Sequence, residues 1–218
     1  MKHLKILFIL LLIGLISCDK NDFYKSPDSI IAGQKSSSGI YYYDYTPDLA
    51  LDYAYSSSSS ADTSIYIELN LDSKYDFEFR LIKSPGSLLG MSSKKVVIIP
   101  LENNEVSIVP NDNVDLEVKP CMSTGMDYTK ALTANEMVNN RENWSNEESL
   151  IYYGSYIINN CEISEGYWSD SNTGNESFIG VKVRKFHKTY YGWIGLYRDD
   201  ETRKLKIADY SIMKDFVK

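Results

Sequence analysis

Histidine is nearly missing, with 2 in 218 residues. That leaves little for transition-metal ligation or for imidazole base catalysis. Cysteine is scarce at 3, too few for a disulfide-built scaffold. Basic residues number 23 against 30 acidic, a formal net charge of −7. The chain has no basic stripe of the kind that neutralises phosphates, which argues against a nucleic-acid partner. Phosphate loops, nucleophile elbows and metal-ligand spacings are all missing from it. What is abundant is tyrosine, 18 residues against 3 Trp and 7 Phe. Tyrosine favours strands and half-wet surfaces and rarely builds helical bundles. With 43% hydrophobic residues the chain is too apolar to be disordered, and its length suits one large domain or two small ones.

The N-terminus has the plan of an export signal. Lys2, His3 and Lys5 precede an apolar run from Ile6 to Leu12, continued by Ile13-Gly14-Leu15-Ile16. This is a positive n-region and a short h-region, too short to span a bilayer of about 30 Å. The run ends in Leu15-Ile16-Ser17-Cys18. That string resembles the lipobox of bacterial lipoproteins. The resemblance implies that Cys18 is the mature N-terminus and carries palmitate-type acyl chains; two or more chains anchor stably where one binds only marginally. The alternative is a plain signal peptide with a chance cysteine. Removal of residues 1–17 leaves a net charge of −9 and one histidine, His187. A Ser-His-Asp triad then has one candidate base, and a multi-histidine zinc site has no ligands.

Asp19-Lys20-Asn21-Asp22 follows the cysteine. A lysine with acids here resembles the surface-export tag of bacteroidete-type lipoproteins. The implied location is the outer membrane, at the cell surface or on the periplasmic face. Asp28-Ser29-Ile30 resembles a short O-glycosylation sequon of the same bacteria. Pro27, Gly33 and Ser36-Ser37-Ser38-Gly39 read as tether over residues 18–39, with a single domain over 40–218. Cys121 and Cys161 either pair, closing a loop of 40 residues worth about 4 kcal/mol in the chain-entropy model, or stay as separate buried thiols.

Beyond the tether the pattern is strand. Ile65, Ile67 and Leu69 alternate with Tyr66, Glu68 and Asn70; Phe77, Phe79 and Leu81 alternate with Glu78 and Arg80. Short apolar runs at 96–99, 106–109, 150–158, 178–183, 190–197 and 205–210 are separated by Asn, Pro and Gly. Period two over short runs predicts an all-β fold, an antiparallel β-sandwich of jelly-roll type. Residues 130–138 are the exception and suit a short helix capped by Thr129 or Thr133.

Two strings carry further information. Glu68-Leu69-Asn70-Leu71-Asp72-Ser73-Lys74-Tyr75-Asp76-Phe77 resembles the Asp-x-Asn-x-Asp-Gly-x-x-Asp-Phe calcium loops of secreted bacterial proteins. The resemblance puts Glu68, Asn70, Asp72 and Asp76 at liganding positions for calcium. Ser73 replaces the turn glycine, Lys74 brings a cation, and Phe79 replaces the bidentate Glu. The plainer alternative is a hairpin with acids on its wet face and no cofactor. Tyr190-Tyr191-Gly192-Trp193-Ile194-Gly195-Leu196, with Phe178 to Val183 before it and Asp209-Tyr210 after it, is similar to a β-rich module of poorly characterised secreted bacterial proteins. It implies a fold type over about residues 60–212 and no activity. Gly192 and Gly180 predict a ring lying over bare backbone, or a bulge.

Tyr41, Tyr43 and Tyr45 share one strand face and are the best candidate binding surface for a glycan or protein ligand; burial against the sheet is the alternative. Asp199-Asp200-Glu201 reads as a solvated turn, and His187 as a turn residue. No catalytic residue is assigned. The leading expectation is a membrane-anchored binding or assembly module without catalysis. The alternatives are a hydrolase of envelope or dietary polymers using paired carboxylates, and a purely structural envelope protein.

Overall fold

Alternation along single strands decides which side chains meet. A computed structural model of the chain describes residues 28–51, 61–69, 71–84, 92–110, 125–157, 161–168, 175–185, 187–199, 201–202 and 204–214. The strands are, in chain order, β1 (Ser29–Ile31), β2 (Ile40–Leu51), β3 (Ala61–Ile67), β4 (Phe77–Ser84), β5 (Ser92–Pro100), β6 (Glu105–Val109), β7 (Tyr128–Thr129) and β8 (Ala131–Leu132). They continue with β9 (Met137–Asn139), β10 (Trp144–Ser145), β11 (Ser149–Ile157), β12 (Cys161–Glu165), β13 (Ser177–Lys185), β14 (Lys188–Arg198) and β15 (Leu205–Met213). The all-β expectation holds.

Among the described residues thirteen strands make one sheet, in the order β2-β15-β14-β13-β6-β7-β11-β5-β4-β3, with β8, β10 and β12 as side branches. The sheet curls until it nearly closes into a barrel. Its pairings are antiparallel except β7 with β11. Phe77, Phe79, Ile98, Ile151 and Ile194 are each 0% exposed and belong to one core. Full burial of one such side chain is worth roughly 1.5–3 kcal/mol.

The β14 strand is buried on both of its faces from Tyr190 to Leu196. The barrel core takes one face. A small second sheet, β1 paired with β9, takes the other. Ile30, Ala32 and Val138 from this strap join the same core, and Phe178 meets Trp193 edge to face at 5.0 Å. Trp193 is fully buried, as its place in the string suggests.

The structure corrects two readings. Within the tether expected over 18–39, Asp28 to Gly39 belongs to the described fold and Ile30 and Ala32 are core residues, while residues 18–27 lie outside the described residues. Three residues of strand carry too little pattern to separate β1 from a Ser/Gly linker. No helix forms at 130–140, where β8 and β9 flank a turn. The Thr133 backbone N–H and hydroxyl both donate to Glu136 Oε1, as a capping box would begin, but Asn135 at φ 75° turns the chain out of the helix.

The glycines act differently from expectation. A Cβ at Gly192 would lie 2.7 Å from the Ser211 carbonyl oxygen, so it is backbone rather than a ring that excludes a side chain there. The ring over bare backbone is Phe178 against Gly33. A register shift falls between Gly195 and Leu196, opposite one between Ile207 and Asp209. Gly192→Ala should lower stability by about 1–3 kcal/mol, because β15 backbone cannot move aside. Urea unfolding checks this; an unchanged midpoint would mean that the β14–β15 pairing yields.

Candidate functional site

The β13–β14 hairpin pairs without interruption from Ser177 opposite Leu196 to Lys185 opposite Lys188. Its turn holds His187 at φ 63°, a left-handed conformation that short polar residues and histidine tolerate best. Period two sends Lys182 and Arg184 to the same side of β13. Both reach Glu105 of β6, with Lys182 Nζ 2.6 Å and Arg184 Nη2 2.9 Å from Oε2. Lys185 pairs with Asp72. Lys188 and His187 are exposed and have no ion-pair partner among the described residues.

These residues border an open groove of about 760 Å³. Arg184, Lys185, His187 and Lys188 supply its basic groups, and Glu105 its carboxylate. Asn103, Asn146 and Thr189 add neutral groups that both donate and accept hydrogen bonds. Among the described residues none of the lining side chains is apolar. In a chain with an excess of acids, this is a local reversal of charge.

The loop that resembles a calcium site adjoins the groove. Its carboxylates are engaged by the chain itself. Glu68 Oε1 accepts from the Ser73 N–H, and Asp72 Oδ1 accepts from the Lys74 N–H at 3.1 Å. Asp72 Oδ2 takes the Lys185 ammonium. Asp76 accepts from the Leu69 N–H at 2.8 Å and from Asn104 Nδ2 at 3.2 Å. Leu71 and Ser73 take positive φ, 58° and 67°, to fold the loop onto these groups. Lys185 thus brings a cation to one of these carboxylates. Asn70 lies outside the described residues. Among the described residues no cluster of three His, Cys, Asp or Glu is arranged to hold a metal ion.

Tyr41, Tyr43 and Tyr45 do share a face, and all three converge on Tyr210, with centroids 6.3, 5.4 and 5.9 Å from its ring. Burial pushes the Tyr45 and Tyr210 hydroxyls well above the ordinary phenol range. The rings therefore face one another, and Tyr43 keeps 41% exposure. Asp199 caps a tight turn, accepting from the Glu201 and Thr202 N–H groups, as the turn reading anticipates. Cys18 and Cys121 lie outside the described residues. Cys161 begins β12.

The sequence reading missed two arrangements. One is a carboxylate cluster beneath the strap. Asp209, 0% exposed, binds Lys35 Nζ at 2.7 Å and the Tyr42 hydroxyl at 2.9 Å through Oδ2. Its Oδ1 is buried without a hydrogen-bond partner, and it points with Glu176 Oε1 into the space that a side chain at position 195 would fill. Burial, then the Asp209 charge, raises the Glu176 carboxyl above its usual range. Burial and the bond to Asp209 push Tyr42 up to about 12. The other is an exposed aromatic pair, Tyr66 and Tyr75, with centroids 5.1 Å apart. Alternation put Tyr66 on the wet face but could not bring Tyr75 to it.

No family model matches the chain, no curated protein matches it, and no solved structure matches it. No helix among the described residues is long and apolar enough to cross a membrane, which says nothing of strands.

Two stability measurements follow from this geometry. Lys35→Met strands the buried Asp209 charge and should lower stability by about 2–3 kcal/mol, while the double variant Lys35→Met/Asp209→Asn recovers most of the loss. Equal losses in single and double variants would show that the lysine stem, not its charge, holds the strap. Burial raises the Asp76 carboxyl from its ordinary 3.8 to about 6. Between those values the unfolded chain sheds a proton that the folded chain keeps. The stability this group contributes therefore falls as pH rises through that window and is constant above it. Asp76→Asn has no such proton, so its stability relative to the native chain should improve by about 2–3 kcal/mol from pH 4 to pH 7. A pH-independent difference in urea unfolding would show that Asp76 titrates normally.

Proposed function

We propose that the protein is a lipid-anchored binding module of the bacterial cell envelope, held in the outer membrane by Cys18 and without catalysis of its own. The anchor rests on the order of n-region, apolar run, Ser17 and Cys18, which resembles the lipobox of bacteroidete-type lipoproteins. The observation that carries the binding reading is the open polar groove beside the β13–β14 turn. Its volume falls within the range of ligand sites, roughly 300–1,000 Å³. The barrel itself is filled with side chains.

A hydrolase would require two carboxylates open to one cleft. Asp209 and Glu176 approach each other, but Asp209 is fully buried and its outward oxygen holds Lys35. That arrangement suits a structural clasp. Among the described lining residues the groove has one carboxylate, Glu105, which two cations already engage.

Cys18→Ala should move the protein from the membrane pellet to the soluble fraction of the producing cell. Retention in the pellet would refute the anchor. Incubation with envelope polysaccharide should release no reducing ends; a rise that scales with protein would refute the non-catalytic reading.

A further inference from the structure

We propose that the groove beside His187 takes an acidic polysaccharide, a chain of sugars bearing carboxylates. This inference rests on the reading of the protein as a binding module and adds the class of ligand.

The lining sets the chemistry. The side chains that border the groove among the described residues are polar or charged, a lining suited to hydroxylated and charged ligands. Asn103, Asn146 and Thr189 match hydroxyl groups, which donate and accept at once. Lys188 and His187 present their basic groups without an ion-pair partner among the described residues. Arg184 turns two nitrogens to one oxygen of Glu105, at 2.9 and 3.0 Å, so Glu105 orients it at the groove's edge. A planar guanidinium held this way suits a carboxylate. The charge excess is local, while the chain beyond residue 17 carries −9. A stretch of a few uronates matches this local charge, while an extended polyanion as dense in charge as duplex nucleic acid would meet more repulsion beyond the groove.

A second observation points to sugar. Tyr66 and Tyr75 are 46% and 57% exposed and pack together 5.1 Å apart. Exposed rings in a pair offer flat apolar faces with polar hydroxyl tips, as a sugar ring requires. Tyr75 sits in the loop that Asp72 ties to Lys185 of the groove. Lys74 of the same loop binds Glu102 at 3.3 Å, next to Asn103 of the lining. The platform and the groove therefore belong to one end of the barrel, and a chain of several sugars can touch both.

Titration calorimetry on the full chain in detergent tests this with four probes: oligogalacturonate, a cello-oligosaccharide of equal length, polyglutamate and inorganic phosphate. Oligogalacturonate should bind most tightly, and more weakly as salt is raised. Lys188→Glu combined with His187→Asn should weaken it about tenfold or more. Asparagine tolerates the left-handed backbone at 187, so the turn survives. Tyr75→Ala should weaken the uronate chain without altering the melting temperature. Equal binding of the neutral glucan, or preference for polyglutamate, overturns the acidic-sugar assignment and leaves the binding module standing. Phosphate binding as tight as the uronate chain overturns it in favour of a simple anion site. Uronate binding that ignores Lys188→Glu moves the site elsewhere and overturns it too. If no probe binds while Cys18→Ala still releases the protein, this inference fails and the anchor does not.

Discussion

The burial of β14 on both faces is the constraint on which the rest of the structure depends. A strand at one wall of a nearly closed barrel needs only one covered face. Here Trp193 stands on the outer side at 0% exposure, between Tyr42 and Phe178. Something must cover it, and the strap of β1 and β9 does so. The strap in turn requires small residues beneath it. Gly180 lets Val138 and Leu132 approach, and Gly33 admits the Phe178 ring. The long, regular β13–β14 pairing follows, and its free end carries the turn that borders the groove.

Covering that face also buries a charge. Asp209 sits beside the register shift at Ala208, where a bulge re-aims side chains. Gly195 opposite it leaves room for the carboxylate and for Glu176. Glycine at 195 thus makes space for two acids. An isolated buried carboxylate is far too unfavourable to persist, so Lys35 and Tyr42 meet it from the strap side. A fully apolar core would be as stable, but this pairing fixes where residue 35 lies and so sets the strap's path.

Much of this was legible along single strands. The inward positions of β4, Phe77, Phe79 and Leu81, follow from alternation alone, as does the shared face of Tyr41, Tyr43 and Tyr45. Contacts between distant segments were not legible. Lys35 lies in a Ser/Gly-rich stretch whose composition resembles linker, and nothing local joins it to Asp209. The helix expected near Thr133 had sound local chemistry, since the Thr133–Glu136 contact does form. Tertiary pairing of β8 with β13 and of β9 with β1 took those residues instead. The basic edge of the groove was hidden for a related reason: the approach of Lys182 and Arg184 to Glu105 of β6 depends on sheet order, which no local pattern carries.

The same separation divides the residues that hold the fold from those that line the groove. The buried strap clasp and the β14 core tolerate little change, since their neighbours include backbone. His187 and Lys188 are exposed turn residues, held in place by a rigid hairpin and by the Asp72–Lys185 bridge. Exposed charges of this kind add little to folding. Their positions are set by the frame, while the core packing places no demand on their identities. The Asp72–Lys185 pair fastens the loop bearing Tyr75 to the basic turn. The groove and the exposed ring pair are thereby held at one end of a barrel whose interior is given over to packing.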